Sequence, residues 1–389
     1  AVTENAATDL GASTVSGTLG ITSAGAITNS GSLAITGDAT FDNLGGSDDA
    51  ITLNNPSNVF NGTVTFTTDS GSAVTIVDTT VLDLVALTAG SLSVTAGGAV
   101  TDSGTLAITG ATTISASGQN ITLDETASTF GTLSLTGANV AVTENAATDL
   151  GASTVSGTLD ITSAGAVTDS GTLAITGATA ISASGQNITL DETASTFGTL
   201  SLTGANVAVT ENAATDLGAS TVSGTLGITS AGAITNSGSL AITGDATFDN
   251  LGGSDDAITL NNPSNVFNGT VTFTTDSGSA VTIVDTTALD LAALTAGSLS
   301  VTAGGDISDS GVLDIGTTAS FTTTAANGNV VLDQASDIDG ALSITTHGTG
   351  TSSVTNLTDS IELGTITSAQ LTVAAGGDIT QSGAATITG

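Results

Sequence analysis

No Lys or Arg occurs in the chain, nor any Cys, Met, Trp or Tyr; Pro occurs twice and His once in 389 residues. Recognition of phosphate backbones rests on Lys and Arg, so nucleic-acid binding is excluded as a function class. An anionic membrane surface repels such a chain. No apolar run approaches the ~18 residues of a spanning helix, so direct membrane insertion is not expected. Without Cys there is neither a disulfide nor a thiolate zinc site. Helix formers are scarce as well, with Glu present six times, and almost no helix is expected.

What remains is distinctive. Asp and Glu number 36, giving a formal net charge of −36, and Gly numbers 50. Hydrophobic residues make up 39% and mean hydropathy is +0.37, which argues against disorder. The apolar residues are mostly Val, Ile and Leu interleaved with Thr and Ser, a mixture that favours strands.

Internal repetition sets the organisation. Residues 1–98 recur as 208–305 with two changes, Val81 to Ala288 and Val85 to Ala292. Residues 99–140 recur as 166–207 with one, Thr113 to Ala180. Such identity exceeds what a fold requires, because cores tolerate apolar swaps, and it points to recent duplication. A weaker period runs through the whole chain. A branched residue before a [TS]-[NDQ]-Ser-Gly phrase falls at Ile27, Val100, Val167, Ile234, Ile307 and Ile379, spaced by 73, 67, 67, 73 and 72. Leu53, Leu123, Leu190, Leu260 and Leu332 follow in phase, and then Phe60, Phe130, Phe197, Phe267 and Ile338.

Inside each module, short segments such as TLDIT, TLAIT, NITLD and TLSLT alternate apolar and polar residues. Side chains at i and i+2 share a strand face. Leu159 and Ile161, Leu173 and Ile175, Ile188 and Leu190, and Leu200 and Leu202 therefore point one way, toward a core. Ile108, Leu123, Phe130, Leu135 and Phe197 are expected there too, and the nine Phe are read as core rather than as a sugar-stacking column. Gly-rich turns separate the strands. The pattern predicts an all-β solenoid of parallel strands, with about 22 residues per coil and three coils per module of 67–73 residues. Equivalent residues of successive modules should then stack, with Val100 and Val167 near 14 Å apart, about three strand spacings. A string of β-sandwiches would need longer modules and linkers. The expected organisation is one continuous solenoid over 1–389, with modules starting near 24, 97, 164, 231, 304 and 376 and no separate globular domain.

Phrases such as AGGDITQSGAATITG (375–389), GQNITLDETASTFGTLSLTGANVAV (185–209) and AITLNNPSNVFNGTVTFT (50–67) resemble the repeats of filamentous-haemagglutinin-like bacterial exoproteins. The resemblance covers the whole chain at the level of repeat style. It implies a right-handed parallel β-helix, an extracellular or cell-surface location, and a role as adhesin stalk or fibre. The partners it implies are a host-cell or matrix glycan or protein receptor. The family's secretion-signal domain has no counterpart in these residues.

Spread over about 18 coils at roughly 4.8 Å each, the carboxylates would fall every ~2.4 Å, against ~1.7 Å for duplex DNA charges. Such a rod gathers cations, and hard oxygen ligands suit calcium. The plainer role is a coat that keeps a β-rich chain dispersed. Candidate calcium contacts are Asp48, Asp49, Asp255 and Asp256 on a Gly-rich insert, and Asp124, Glu125, Asp191 and Glu192 after the ITL strand. GGSDDAI at 45–51 and GGDISDSG at 304–311 only brush against the tandem repeats of calcium rolls. The position held by Asn29, Asp102, Asp169, Asn236, Asp309 and Gln381 interchanges amide with carboxylate, which favours turn hydrogen bonding over metal ligation.

His347 stands alone in THGTG, without the nucleophile and orienting group a general base needs. Nearly every acidic residue has a copy elsewhere, so no unique carboxylate pair for glycoside cleavage stands out. No catalytic residue, no bound organic cofactor and no enzyme activity are expected. The expected role is a structural extracellular rod, with a self-assembling filament or sheath subunit bridged by divalent cations as the alternative. The chain is expected to continue at both ends or to dock end to end or laterally on another copy, because uncapped strand edges template further strands.

Overall fold

A computed structural model describes residues 1–43, 48–250 and 255–389. The insert residues 44–47 and 251–254, on which part of the expected calcium motif falls, lie outside the described residues. The chain divides into two compact units, Ala1–Gly198 and Thr199–Gly389. Each is a parallel β-solenoid, about 19 turns in all, and no helix occurs among the described residues.

In the first unit two long stacks of strands run side by side. One climbs from Val2–Glu4 through Leu19–Ser23, Ala39–Asn43 and Thr63–Thr67 to Thr179–Ser182, each strand parallel to the next. The other climbs from Thr8–Leu10 through Ile27–Asn29, Ile51–Leu53 and Ala73–Asp78 to Ile188–Leu190. Short third-side stacks close the section, for example Ser13–Val15, Leu33–Ile35 and Val59–Phe60. The second unit repeats the plan, with one stack from Thr199–Gly204 to Ile379–Gln381 and another from Val207–Glu211 to Gln370–Ala375.

Period-2 alternation carries the core. Ile108, Leu123, Phe130, Leu135, Ile175, Leu190, Phe197 and Leu202 are all buried, as the alternation requires. All nine Phe are buried, in two kinds of place. Phe130 and Phe197 sit singly, whereas Phe41 lies between Phe66 (5.8 Å, stacked) and Phe60 (6.0 Å, edge-on), and Phe248 repeats this with Phe273 and Phe267. The extra aromatic volume coincides with the widest coil, in which Ala39 pairs with Val64, 25 residues on. Elsewhere the coil contracts until Leu133 pairs with Leu150, 17 residues on. Turns take up the difference. In SASGQ the backbone enters the left-handed region at Gly118 (φ 73°) and Gly185 (φ 74°), which only Gly tolerates cheaply.

The modules do not stack in phase. Three coils carry Val100 through Ile121 and Val140 to Leu159 within one stack. Val167 lies eight residues beyond Leu159 and belongs to the other stack, where it pairs with Thr148 and Ile188. Ile27, likewise, climbs through Ile51 and Val74 to Leu92, and Val100 then follows on the opposite side. The expected vertical alignment of Val100 with Val167 is therefore corrected. Coils of about 20 residues fit three times into a module and leave enough chain to cross to the other face.

The interior position of Leu190 yields a direct test. Leu190→Asp should cost roughly 3 kcal/mol or more, because an unpaired charge replaces a buried alkyl group. Thr189→Asp, one residue away on the outer face, should stay within about 0.5 kcal/mol. Urea unfolding and limited proteolysis of the two variants would separate them; equal effects would refute the inward and outward assignment.

Candidate functional site

The polar residues that matter chemically lie inside. Three interior positions recur in each module, at corners where the strand ladder breaks and a backbone N–H would otherwise be orphaned. The first is held by Asn29, Asp102, Asp169, Asn236 and Asp309, each at most 7% exposed. The second is held by Asn58, Ser128, Ser195, Asn265 and Ser336, all fully enclosed. The third is held by Asp78, Glu144, Glu211, Asp285 and Asn356, also buried.

Each position caps a backbone donor of a neighbouring coil. Asp124 N–H donates to Asp102 Oδ1 at 2.9 Å, Asp191 N–H to Asp169 Oδ1 at 2.8 Å and Asp333 N–H to Asp309 Oδ1 at 2.8 Å. Leu33 N–H donates to Asn58 Oδ1 (2.9 Å), Leu106 N–H to Ser128 Oγ (3.0 Å) and Leu173 N–H to Ser195 Oγ (3.0 Å). Phe60 N–H donates to Asp78 Oδ1 (3.1 Å), Phe130 N–H to Glu144 Oε1 (2.7 Å), Phe267 N–H to Asp285 Oδ1 (3.1 Å) and Ile338 N–H to Asn356 Oδ1 (3.1 Å). The first two positions change together. Asn29 donates to Asn58 Oδ1 at 2.8 Å and Asn236 to Asn265 Oδ1 at 2.8 Å. Where Ser fills the second position, Asp fills the first, and Ser336 donates to Asp309 Oδ2 at 3.4 Å. An amide pair and a hydroxyl–carboxylate pair are alternative ways to satisfy one corner.

Burial pushes the carboxyl pKa values upward at Asp78, Asp169, Asp285, Asp309 and Glu144, with the capped N–H groups opposing it. At Asp102 burial wins by most, and the nearby Asp124 and Glu125 add to it, raising the group to about 6. The second oxygens of Asp78, Asp102 and Glu144 find no partner among the described residues. Surface carboxylates behave differently. Hydrogen bonds from Ser30 and Thr28 hold exposed Asp9 below its usual range, despite some opposing desolvation. Asp149 accepts from Thr132 and Ser170, both at 2.8 Å, and so also ties adjacent coils together. An exposed ladder of the expected kind runs from Asn120 to Asn139 (3.0 Å) and on to Thr158 (3.2 Å).

The candidate calcium residues divide accordingly. Asp124 with Glu125, and Asp191 with Glu192, stand one coil above Asp102 and Asp169 and engage them through backbone N–H groups. Asp48 lies against Gly71, and Asp255 against Gly278, where a Cβ would collide with the carboxylate. The backbone carbonyls of Asp49 and Asp256 accept from Asn43 and Asn250. No three His, Asp or Glu among the described residues converge in a metal-holding group. His347 is exposed, and its Nδ1 lies 2.8 Å from the Thr323 carbonyl oxygen. The interchange position does bond within its turn, as with Asn29 to the Gly31 carbonyl (3.0 Å), and it also reaches the next coil, which the sequence reading had not included. The second and third interior positions were missed. Their signal was present: an Asn or Ser always stands two residues before the Phe60, Phe130, Phe197, Phe267 and Ile338 markers.

These features define a parallel β-solenoid repeat protein whose interior polar corners recur with the module. The chain belongs to a family described as repeats of unknown function (DUF5649), whose model matches residues 1–67, 71–136, 137–203, 204–274, 278–345 and 349–389. Those matches keep the expected period but begin 23 to 27 residues before the module starts read from the sequence. No curated protein and no solved structure matches the chain.

The raised interior carboxyls have a signed consequence for stability. Below the ordinary pKa near 3.8, Asp102 is protonated in both folded and unfolded chain and contributes no pH dependence. As pH rises toward about 6, the unfolded chain ionises first, so folding is progressively disfavoured. The penalty is complete above that value and is on the order of 2–3 kcal/mol. Asp102→Asn should raise the melting temperature at pH 7.5 and leave it unchanged near pH 4. Asn29 and Asn236 already fill this position and donate to Gly31 and Gly238. Thermal melts across pH 4–7.5 check this; equal destabilisation at both ends would show that the carboxylate is needed in its charged form.

Proposed function

We propose that this chain is a structural rod segment of a large bacterial surface or secreted repeat protein, working outside the cell as an adhesin stalk or fibre. The observation that carries this reading is the inter-coil origin of the interior hydrogen bonds. Corner acceptors such as Asp102, Ser128 and Glu144 are completed by donors from an adjacent coil. A coil of this kind is finished only by another coil, so the design extends by adding modules and its product is length. The resemblance to filamentous-haemagglutinin-like repeats supports the same reading and supplies the extracellular setting. Duplicating residues 141–207 should lengthen the particle by about three and a half strand spacings, roughly 17 Å, at constant width. Electron microscopy or small-angle scattering measures both dimensions; growth in width, or none, would sink the proposal.

A second reading, a filament or sheath subunit bridged by divalent cations such as calcium, is favoured by one surface feature. Asp245, Asp290 and Asp306 line a single shallow depression in the second unit. Bridging predicts that particle mass in solution rises with calcium and falls with chelator. Identical mass under both conditions would leave these carboxylates a solvating role.

A further inference from the structure

Acidic groups cover this molecule unevenly, and one kind of surface lacks them. In the first unit, strands from Ile27–Asn29 to Thr132–Gly137 stack six deep. The middle row of their outward side chains is Thr28, Thr52, Thr75, Ser93, Thr113 and Ser134, all at least partly exposed. The outward positions on either side, such as Ala73, Val77, Thr95 and Thr136, carry no carboxylate. The face is bounded by Asp9, in register with Thr28, and by Asp149, in register with Thr132. The other long stack of the same unit is interrupted by outward Asp42, Asp83 and Asp160.

The second unit repeats the arrangement. Thr235, Thr259, Thr282, Ser300, Ser320 and Ser343 form the middle row, bounded by Asp216 below and Glu362 above. The first four rungs are copies of the first unit, as the duplication of 1–98 in 208–305 dictates. The last two are not copies: ATTIS and TLSLT stand in the first unit, TASFT and ALSIT in the second. The absence of charge therefore persists where the sequence is not duplicated.

We propose that this six-rung neutral face is where a second copy of the same chain docks, laterally and face to face. The occupant follows from charge. Every ionisable side chain except His347 is acidic, so two copies can approach closely only where no carboxylate opposes another. A face of hydroxyls and methyl groups presents the same surface to its two-fold mate, which is the self-complementarity an isologous contact needs. Strands stacked at one spacing on both copies let the small side chains interdigitate rung for rung. Size sets the strength. Five strand spacings by two to three side-chain columns is roughly 400 Å² per copy, about half of what a stable interface buries on each partner. One face gives weak, concentration-dependent association, and two faces per chain permit arrays. The proposal goes beyond the rod reading and does not depend on it, and it differs from cation bridging because the contact excludes carboxylates.

Sedimentation velocity on the full chain in chelator tests it. Wild-type average mass should rise with concentration, and more so in 1 M than in 0.1 M NaCl, because salt screens the surrounding repulsion without weakening a neutral contact. Thr75→Asp with Thr282→Asp should require at least tenfold higher concentration for the same mass. Thr65→Asp with Thr272→Asp adds the same charge on the opposite stacks and should behave as wild type. Circular dichroism confirms that both variants fold. A wild type that stays monomeric at every concentration and salt, equal loss in the two variants, or association abolished by chelator would each overturn the proposal. None of these outcomes bears on particle length, which tests the rod.

Discussion

A coil in this molecule has nothing to pair with except the coils next to it. Parallel strands satisfy their backbone groups only across the ladder, and a ladder of two- to eight-residue strands breaks at every corner. The N–H groups at those breaks face a core of Ile, Leu, Val and Phe, where an unmade hydrogen bond costs 1–3 kcal/mol or so. The interior Asn, Ser, Asp and Glu answer this need. They reach to the adjacent coil rather than along their own. That constraint explains why acidic side chains stand inside a protein that already carries 36 negative charges. A capped corner with a partly protonated carboxyl is less costly than an orphaned backbone donor.

The same constraint lets coil length vary. The coil from Ala39 to Val64 accommodates the NNPSN turn, in which Asn55 closes a local loop by accepting from Ser57 and Asn58 N–H. Asn58 nevertheless turns inward and caps Leu33. Excess chain bulges outward while the interior acceptor keeps its place, so a coil of 25 residues and one of 17 can belong to the same stack.

Strand existence, parallel stacking and the identity of the core were legible in the sequence, because alternation at Leu200 and Leu202 or Ile188 and Leu190 is a local signal with one physical reading. The phase of the module against the coil was not. Repeat spacing counts residues, whereas stacking depends on where corners fall, and corners are set by turns whose lengths differ. Nothing local in VTDSG distinguishes Val100, on one stack, from Val167, on the other. The interior polar positions failed for a related reason. Ser128 and Ser195 look like turn residues beside Phe130 and Phe197, and only the neighbouring coil reveals that they accept from Leu106 and Leu173. The candidate calcium residues were chosen as exposed acid pairs; their nearest chemical event is the capping of buried Asp102 and Asp169 by their own backbones.

The half-turn offset has a consequence for surfaces. Because each module hands its chain to the opposite face, a strand that is acidic on its outer side appears on alternating sides of the solenoid. TDL at Thr8–Leu10 and again at Thr148–Leu150 bounds one stack, while LDL at Leu82–Leu84 and LDITS at Leu159–Ser163 place their Asp on the other. If modules stacked in phase, every acidic strand would recur above its equivalent about every third coil, and no face could stay neutral for six rungs. Offsetting the modules concentrates charge on one side over one stretch and leaves the other side neutral over the same stretch. The neutral faces are thus a product of how a 67- to 73-residue repeat divides into coils of about 20. A change of a few residues in turn length could move the charge from one face to the other without altering a single outward strand.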